Sequence, residues 1–308
     1  MVSTQPLTSW CEIDRNCIAK NLEIALSLLP KGTRFCAVLK AYAYGHGLDQ
    51  VVPIIIKQSV DCVGITSNAE AEAVRNAGFC GQLLRLRAAT AEEIEGAAIY
   101  QLEEQVSSIE TALKLKALAQ SGEYKSGIHL ALNANGMSRD GLELETAKGR
   151  ESCKKIIDYV GHKIVGICSH FPSNDPAQLR QSAELFQQHA NWVISNSQLD
   201  RNHLLVHAGS SLTLVSGEKT ETDMYRCGAL LYGILKPELD FRTPMALRSK
   251  IVSIGEFPQG ATVGYDRSKT LDKDRRLACV SIGYANGFSG LSYPWWWHRL
   301  QTGAGRRV

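Results

Sequence analysis

Lys40 closes a short apolar run, FCAVLK (35–40), and is followed by AYAYGHG (41–47). An amine at the end of a buried strand is partly desolvated. Desolvation favours its neutral form, and a neutral amine is a nucleophile able to form a Schiff base with a carbonyl. A solvated strand-end lysine is the alternative that position alone leaves open. Other residues with usable chemistry stand at comparable places: Arg87 ends LLRLR, Arg139 sits in NANGMSRDG (133–141), and His170 ends ICSH. Ser210 and Ser211 follow HAG, while Arg226 and Gly228 lie in DMYRCGALLYG (223–233). Singly, each reads as a surface arginine, a satisfied histidine or a loop serine. They become a set only if the architecture gathers strand ends in one place.

The hydrophobic pattern supplies such an architecture. Apolar, β-branched runs at 35–40, 62–66, 83–87, 128–132, 164–170, 204–209 and 228–233 read as buried strands, with QLEEQV (101–106) a weaker one. Between them, segments such as 69–78, 107–120 and 177–196 place apolar residues every three or four positions, as amphipathic helices do. A further helix, 17–29, precedes the first strand. Continuous apolar strands alternating with helices predict a parallel sheet covered by helices, and eight of them predict a (β/α)8, TIM-like barrel. No GxGxxG joins a strand to a helix, so an open dinucleotide-binding sheet lacks support.

After about Pro244 the pattern changes to strands without helices, at 247–257, 261–270 and 277–287. The predicted organisation is a barrel over 1–240, the start of an incomplete C-terminal all-β domain over 241–290, and an atypical tail over 291–308. That tail, LSYPWWWHRLQTGAGRRV, fits neither period. It is expected to be an out-of-frame end produced by a reading-frame change near Gly290, the alternative being a short tail with an aromatic hook.

Composition narrows the function. An apolar share of 44% and a charged share of 21% are those of a globular protein, and no apolar run is long enough to span a bilayer. The net charge, 34 − 31 = +3, gives no reason to expect nucleic acid or a membrane surface as partner. The nine cysteines are scattered, without a CxxC pair or a Cys/His cluster, so nothing points to a metal. Reduced thiols and the lack of a secretory signal in MVSTQPLTSW predict a cytoplasmic protein, or a periplasmic one if a signal is missing.

At a barrel mouth, the loops after the last two strands commonly hold a phosphate, and small residues stand at both here. A phosphate-anchored ligand with an electrophilic carbon near Lys40 points to pyridoxal 5′-phosphate. AVLKAYAYGHG (37–47) closely resembles the lysine motif of the alanine racemase family, whose cofactor this is. The resemblance runs from EID (12–14) to GYANG (283–287) and includes GMSR (136–139), SHF (169–171), HAGSS (207–211), DMYRCGALLYG and VGYD (263–266). It implies an isomerase that interconverts L- and D-alanine with two bases on opposite faces of the substrate. Lys40 would hold the cofactor and act as one base. Tyr265 would be the other, contributed across a homodimer interface. Tyr44, Ser211, Gly228 and Ala229 would cradle the phosphate, Arg226 would face the pyridine nitrogen, and Arg139 the phenolic oxygen. His170 would support the tyrosine. A tyrosine ordinarily titrates near about 10 and needs cationic neighbours to serve as a base at neutral pH.

Two departures qualify the resemblance. Many alanine racemases carry a carbamylated lysine just before the GMSR position, whereas Ala131, Leu132 and Asn133 stand here. Together with LLRLRAAT (83–90), this resembles the broad-specificity amino-acid racemases, so substrates larger than alanine, such as lysine or arginine, are expected. The family also continues well past GYANG, so a shortened chain is expected to expose strand edges, with reduced activity, poor dimerisation or aggregation. The competing readings are a single-barrel protein that binds the cofactor without catalysis, a barrel decarboxylase using the same cofactor, and an inactive truncated racemase.

Overall fold

The computed structural model describes residues 7–173, 175–218, 220–283 and 286. The tail expected at 291–308, and part of GYANG, lie outside these residues. The described residues divide into two units, those from 15 to 243 and a second one made of 7–14 with those from 244 onward.

Eight of the nine strands in the first unit's sheet follow from the apolar runs. They are β2 (Arg34–Val38), β3 (Cys62–Ile65), β4 (Gln82–Arg85), β5 (Leu102–Val106), β6 (Ile128–Ala131), β7 (Ile164–Cys168), β8 (Leu205–His207) and β9 (Gly209–Ser210). The ninth is β10 (Met224–Cys227). Neighbours pair in the order β8-β7-β6-β5-β4-β3-β2-β10-β9, all parallel. Only Ala208 separates β8 from β9, so one bent stave meets β7 on one side and β10 on the other. The ring therefore closes as an eight-stave barrel. The last strand differs from the expected 228–233: the sheet takes MYRC, and turns follow from Gly228. GALLYG is the more apolar stretch, but a charged residue enters the strand because Arg226 finds partners inside the barrel.

Helices lie between the strands for ordinary reasons. Asn68–Asn76 starts with a capping box in which the Ser67 hydroxyl accepts the Glu70 N–H and the Glu70 carboxylate accepts the Ser67 N–H. Pro176–Ser195 follows an Asp175 cap and buries Leu179, Ser182, Phe186, His189, Ala190 and Val193, a single stripe at three- and four-residue spacing.

Side chains alternate across the strands, so each face has its own chemistry. Arg85 and Glu104 point to the helix-covered face of β4 and β5. There Arg85 Nε donates to Glu104 Oε2 at 2.7 Å and its Nη2 donates to Glu104 Oε1 at 3.0 Å and Asn68 Oδ1 at 2.7 Å. Both side chains are at most 1% exposed. Burial raises the Glu104 carboxyl above its usual range, against the pull of Arg85.

In the second unit, β1 (Ser9–Ile13) pairs antiparallel with β11 (Met245–Ser249), β12 (Ile251–Phe257) with β15 (Arg275–Val280), and β13 (Thr262–Val263) with β14 (Lys269–Thr270). The expected barrel began at residue 1, but the first strand belongs here, because its hydrogen-bonding partner lies far along the chain. Among the described residues, no helix is long and apolar enough to cross a membrane.

Removing one partner of a buried ion pair leaves the other charged and unsolvated. Glu104→Ala is expected to lower unfolding free energy by about 3–5 kcal/mol, read from urea denaturation. A loss below about 1 kcal/mol, the level of an exposed pair, would show that the pair is not buried.

Candidate active site

Beyond β2 the chain does something that L-residues avoid. Ala41, Tyr42, Ala43 and Tyr44 all have φ between 53° and 57°, a left-handed turn directly after Lys40. Such residues cost about 1–2 kcal/mol each, so the surroundings must hold them. The Ala43 N–H donates to the Leu39 carbonyl at 2.8 Å and the Gly45 N–H to that of Ala41 at 2.9 Å. Glu70, 8% exposed, uses Oε1 to accept the Tyr42 N–H at 3.3 Å while Oε2 accepts the Thr66 N–H at 2.7 Å. The residue that caps a helix thus also braces the turn. Tyr44 and His46 pack on Tyr232, with ring centroids 4.8 and 4.4 Å away.

The C-terminal ends of the strands surround a cavity of about 520 Å³. Lys40, Tyr44, Arg139, His170, Ser211, Arg226, Gly228 and Ala229, all expected at the site from sequence, line it. Tyr265 is not brought into it: it belongs to the second unit, where it is 85% exposed. Lys40 is half-buried, its Nζ 5.8 Å from the centre of the Tyr44 ring. Ser211 Oγ accepts the Gly228 N–H at 3.1 Å, which leaves the serine hydroxyl proton for another acceptor. A side chain at Gly228 would place its Cβ 2.5 Å from the Tyr44 hydroxyl, so only glycine lets this corner close.

Arg226 lies at the floor, 8% exposed. Its Nη2 donates to the Ser169 carbonyl at 2.6 Å, and its Nη1 donates to the His207 carbonyl at 3.0 Å and to His207 Nδ1. Arginine has donors only, so His207 Nδ1 must be an acceptor and its proton must sit on Nε2. His207 Nε2 then donates to His129 Nδ1 at 2.9 Å, and His129 Nε2 donates to the Glu103 carboxylate at 2.8 Å. Gly166 makes room for this chain: a Cβ there would stand 2.2 Å from His129 Nδ1. Burial, and then the charge of Arg226, pushes His207 well below the usual imidazole range. Burial would raise Glu103, but the hydrogen bond from His129 brings it below its ordinary value. His170, on the cavity wall, is pushed down to about 3 by desolvation and by the cations Arg226, Arg139 and Lys40.

Arg87, also on the wall, donates to the Thr66 carbonyl at 2.7 Å and forks onto Glu93, whose carboxyl it pulls down to about 2. Glu103, His129 and Glu70 were not named from the sequence, and His207 was quoted only as part of HAGSS. Buried polar residues inside strands give no periodic signal of their own.

Comparison with known proteins fits this geometry. The family model for the alanine racemase N-terminal domain matches residues 13–236, and the one for the C-terminal domain matches residues 244–296. The chain belongs to the alanine racemase family. It is similar to the lysine racemase of Proteus mirabilis, 40% identical over 280 residues covering 91% of this chain and 69% of that protein. It is also similar to the broad specificity amino-acid racemase of Pseudomonas taetrolens, 37% identical over 288 residues, covering 93% and 70% respectively. Among solved structures, the alanine racemase of Clostridium difficile 630 superposes with a TM-score of 0.81 at 26% identity, covering 92% of this chain and 75% of that one. The Bartonella henselae alanine racemase, solved with covalently bound pyridoxal phosphate, shares the fold with a TM-score of 0.79 at 22% identity, covering 92% and 78%.

Four histidines, 46, 170, 189 and 207, have lowered values in the folded chain. The unfolded chain therefore takes up protons first as pH falls through about 6.5, and stability is lost in that direction. The urea midpoint is expected to drop between about pH 7.5 and 5.5, above the carboxylate range; a midpoint that rises would contradict the assignment of neutral imidazoles.

Proposed function

We propose that this chain is a pyridoxal-phosphate-dependent racemase of alanine and of larger amino acids, working as a homodimer. The proposed bases are Lys40 and Tyr265 of the partner subunit. The observation that supports this best is that one cavity unites Lys40, the Ser211–Gly228–Tyr44 corner and the buried Arg226.

The residues present fit the cofactor. The Ser169 hydroxyl, buried in the cavity wall, has no hydrogen-bond partner among the described residues. The corner where no Cβ fits offers two hydroxyls to an anion, those of Tyr44 and Ser211, with Gly228 and Ala229 beside them. Arg226 would face the ring nitrogen and Arg139 the phenolic oxygen. When bound, the group supplies a conjugated ring that stabilises negative charge at the substrate's α-carbon.

The chain's own residues do the rest. Lys40 Nζ would take or return the α-proton on one face, and the Tyr265 hydroxyl of the partner subunit on the other. Arg226 keeps its proton, because a guanidinium does not give it up near neutral pH. Facing a ring nitrogen, Arg226 would limit the electron withdrawal that the bound group supplies and so disfavour transamination. His170, held neutral by desolvation and then by its cationic neighbours, can accept a hydrogen bond without adding another positive charge to the mouth.

The test is racemisation and solvent exchange on cofactor-loaded protein in D2O. Both L-alanine and L-lysine are expected to yield D-enantiomer and to gain deuterium at the α-carbon. Tyr265→Phe is expected to slow this by about 10²–10⁴-fold, the range of a lost general acid–base group. Bound cofactor with no α-proton exchange for any amino acid would contradict the proposal.

A further inference from the structure

The cavity wall carries four cationic side chains, Lys40, Arg87, Arg139 and Arg226, and one carboxylate among the described lining residues, Asp140. That carboxylate is held in place. Its Oδ1 accepts the Ser107 hydroxyl and the Gly141 N–H, the latter at 2.7 Å, and its Oδ2 accepts the Ala88 N–H at 3.0 Å. Ala88, Ser107 and Asp140 stand in the loops after β4, β5 and β6, so three loops of the barrel mouth converge on one acidic group. All three donors are neutral. A carboxylate has about four acceptor positions, so one on Oδ2 is left for a ligand. Arg87, the cation nearest in sequence to Ala88, already spends its charge on Glu93.

Position in the ring gives this carboxylate a role. The Ser211–Gly228 corner belongs to the β9–β10 side and Lys40 to neighbouring β2, whereas β4–β6 lie across the mouth. A ligand anchored at the corner and reacting at Lys40 leaves the far side to the substrate's own side chain. In a mouth with four cations, a side chain ending in a cation needs a negative partner there. A charge-assisted bond to a fixed carboxylate is among the stronger hydrogen bonds available.

We propose that Asp140 receives the terminal ammonium or guanidinium of the substrate, and so selects basic amino acids over neutral ones of equal length. This rests on the reading of the cavity as a racemase site and adds the residue that discriminates among its substrates.

The test compares L-lysine with L-norleucine, which has the same chain length without the charge. On the cofactor-loaded protein, kcat/KM for lysine is expected to exceed that for norleucine by about tenfold or more, the worth of one hydrogen bond to a charged group. In Asp140→Asn, which keeps the Oδ1 acceptor, the ratio is expected to fall towards one. Equal kcat/KM values in the unaltered protein overturn the proposal, as does a preference that survives the substitution. If Asp140→Asn does not fold, Asp140→Glu and the unaltered protein's own ratio, including its collapse at high salt, decide the matter. Failure of the racemase reading is recognised separately, as no α-proton exchange with either compound. Calorimetric binding of lysine against norleucine then decides the role of Asp140 without turnover.

Discussion

A guanidinium that cannot lose its proton and has almost no access to water must be given acceptors by the fold, and Arg226 sets that constraint at the centre of this barrel. Two carbonyls and one imidazole nitrogen meet it. The choice of imidazole then propagates: His207 must carry its proton on the far nitrogen, His129 must accept it, and Glu103 must end the chain. Strands β5, β6, β8 and β10 are thereby tied through their inward faces, and Gly166 on β7 is small because the chain passes it. Such a fully connected polar core is costly to break at any one member.

The same economy of charge shapes the mouth. Arg87 is matched by Glu93, and Arg226 is hydrogen-bonded directly only by neutral groups. His170 stays neutral beside Arg226, Arg139 and Lys40 instead of adding a further positive charge. Strain enters at one place, the left-handed turn after Lys40, where Glu70 and the Tyr44–Tyr232 packing hold backbone angles that an isolated peptide would leave. The rigidity of that turn fixes where the lysine amine can reach.

Much of this was legible in the residues. Apolar β-branched runs located most of the barrel strands because parallel strands are buried on both faces. Strand ends located the cavity because a barrel collects them. What escaped was polar or distant. Met224–Cys227 was passed over for GALLYG because an inward arginine makes a strand look like a loop. Arg85 and Glu104 hid in LLRLR and QLEEQV, since each is tolerable only with the other and no local pattern pairs them. Ser9–Ile13 finds its partner at Met245–Ser249, a contact that short-range periodicity cannot carry. Asp140 lay in plain view within NANGMSRDG, but its meaning depends on three loops that meet only in the folded barrel.

Lys40 is the residue on which the whole site depends. Borohydride reduction of the protein loaded with pyridoxal phosphate, followed by proteolysis and mass spectrometry, should find the pyridoxyl group on Lys40 and on no other lysine. A reduced adduct at a different lysine, or none while Lys40 is intact and the barrel folded, would contradict it.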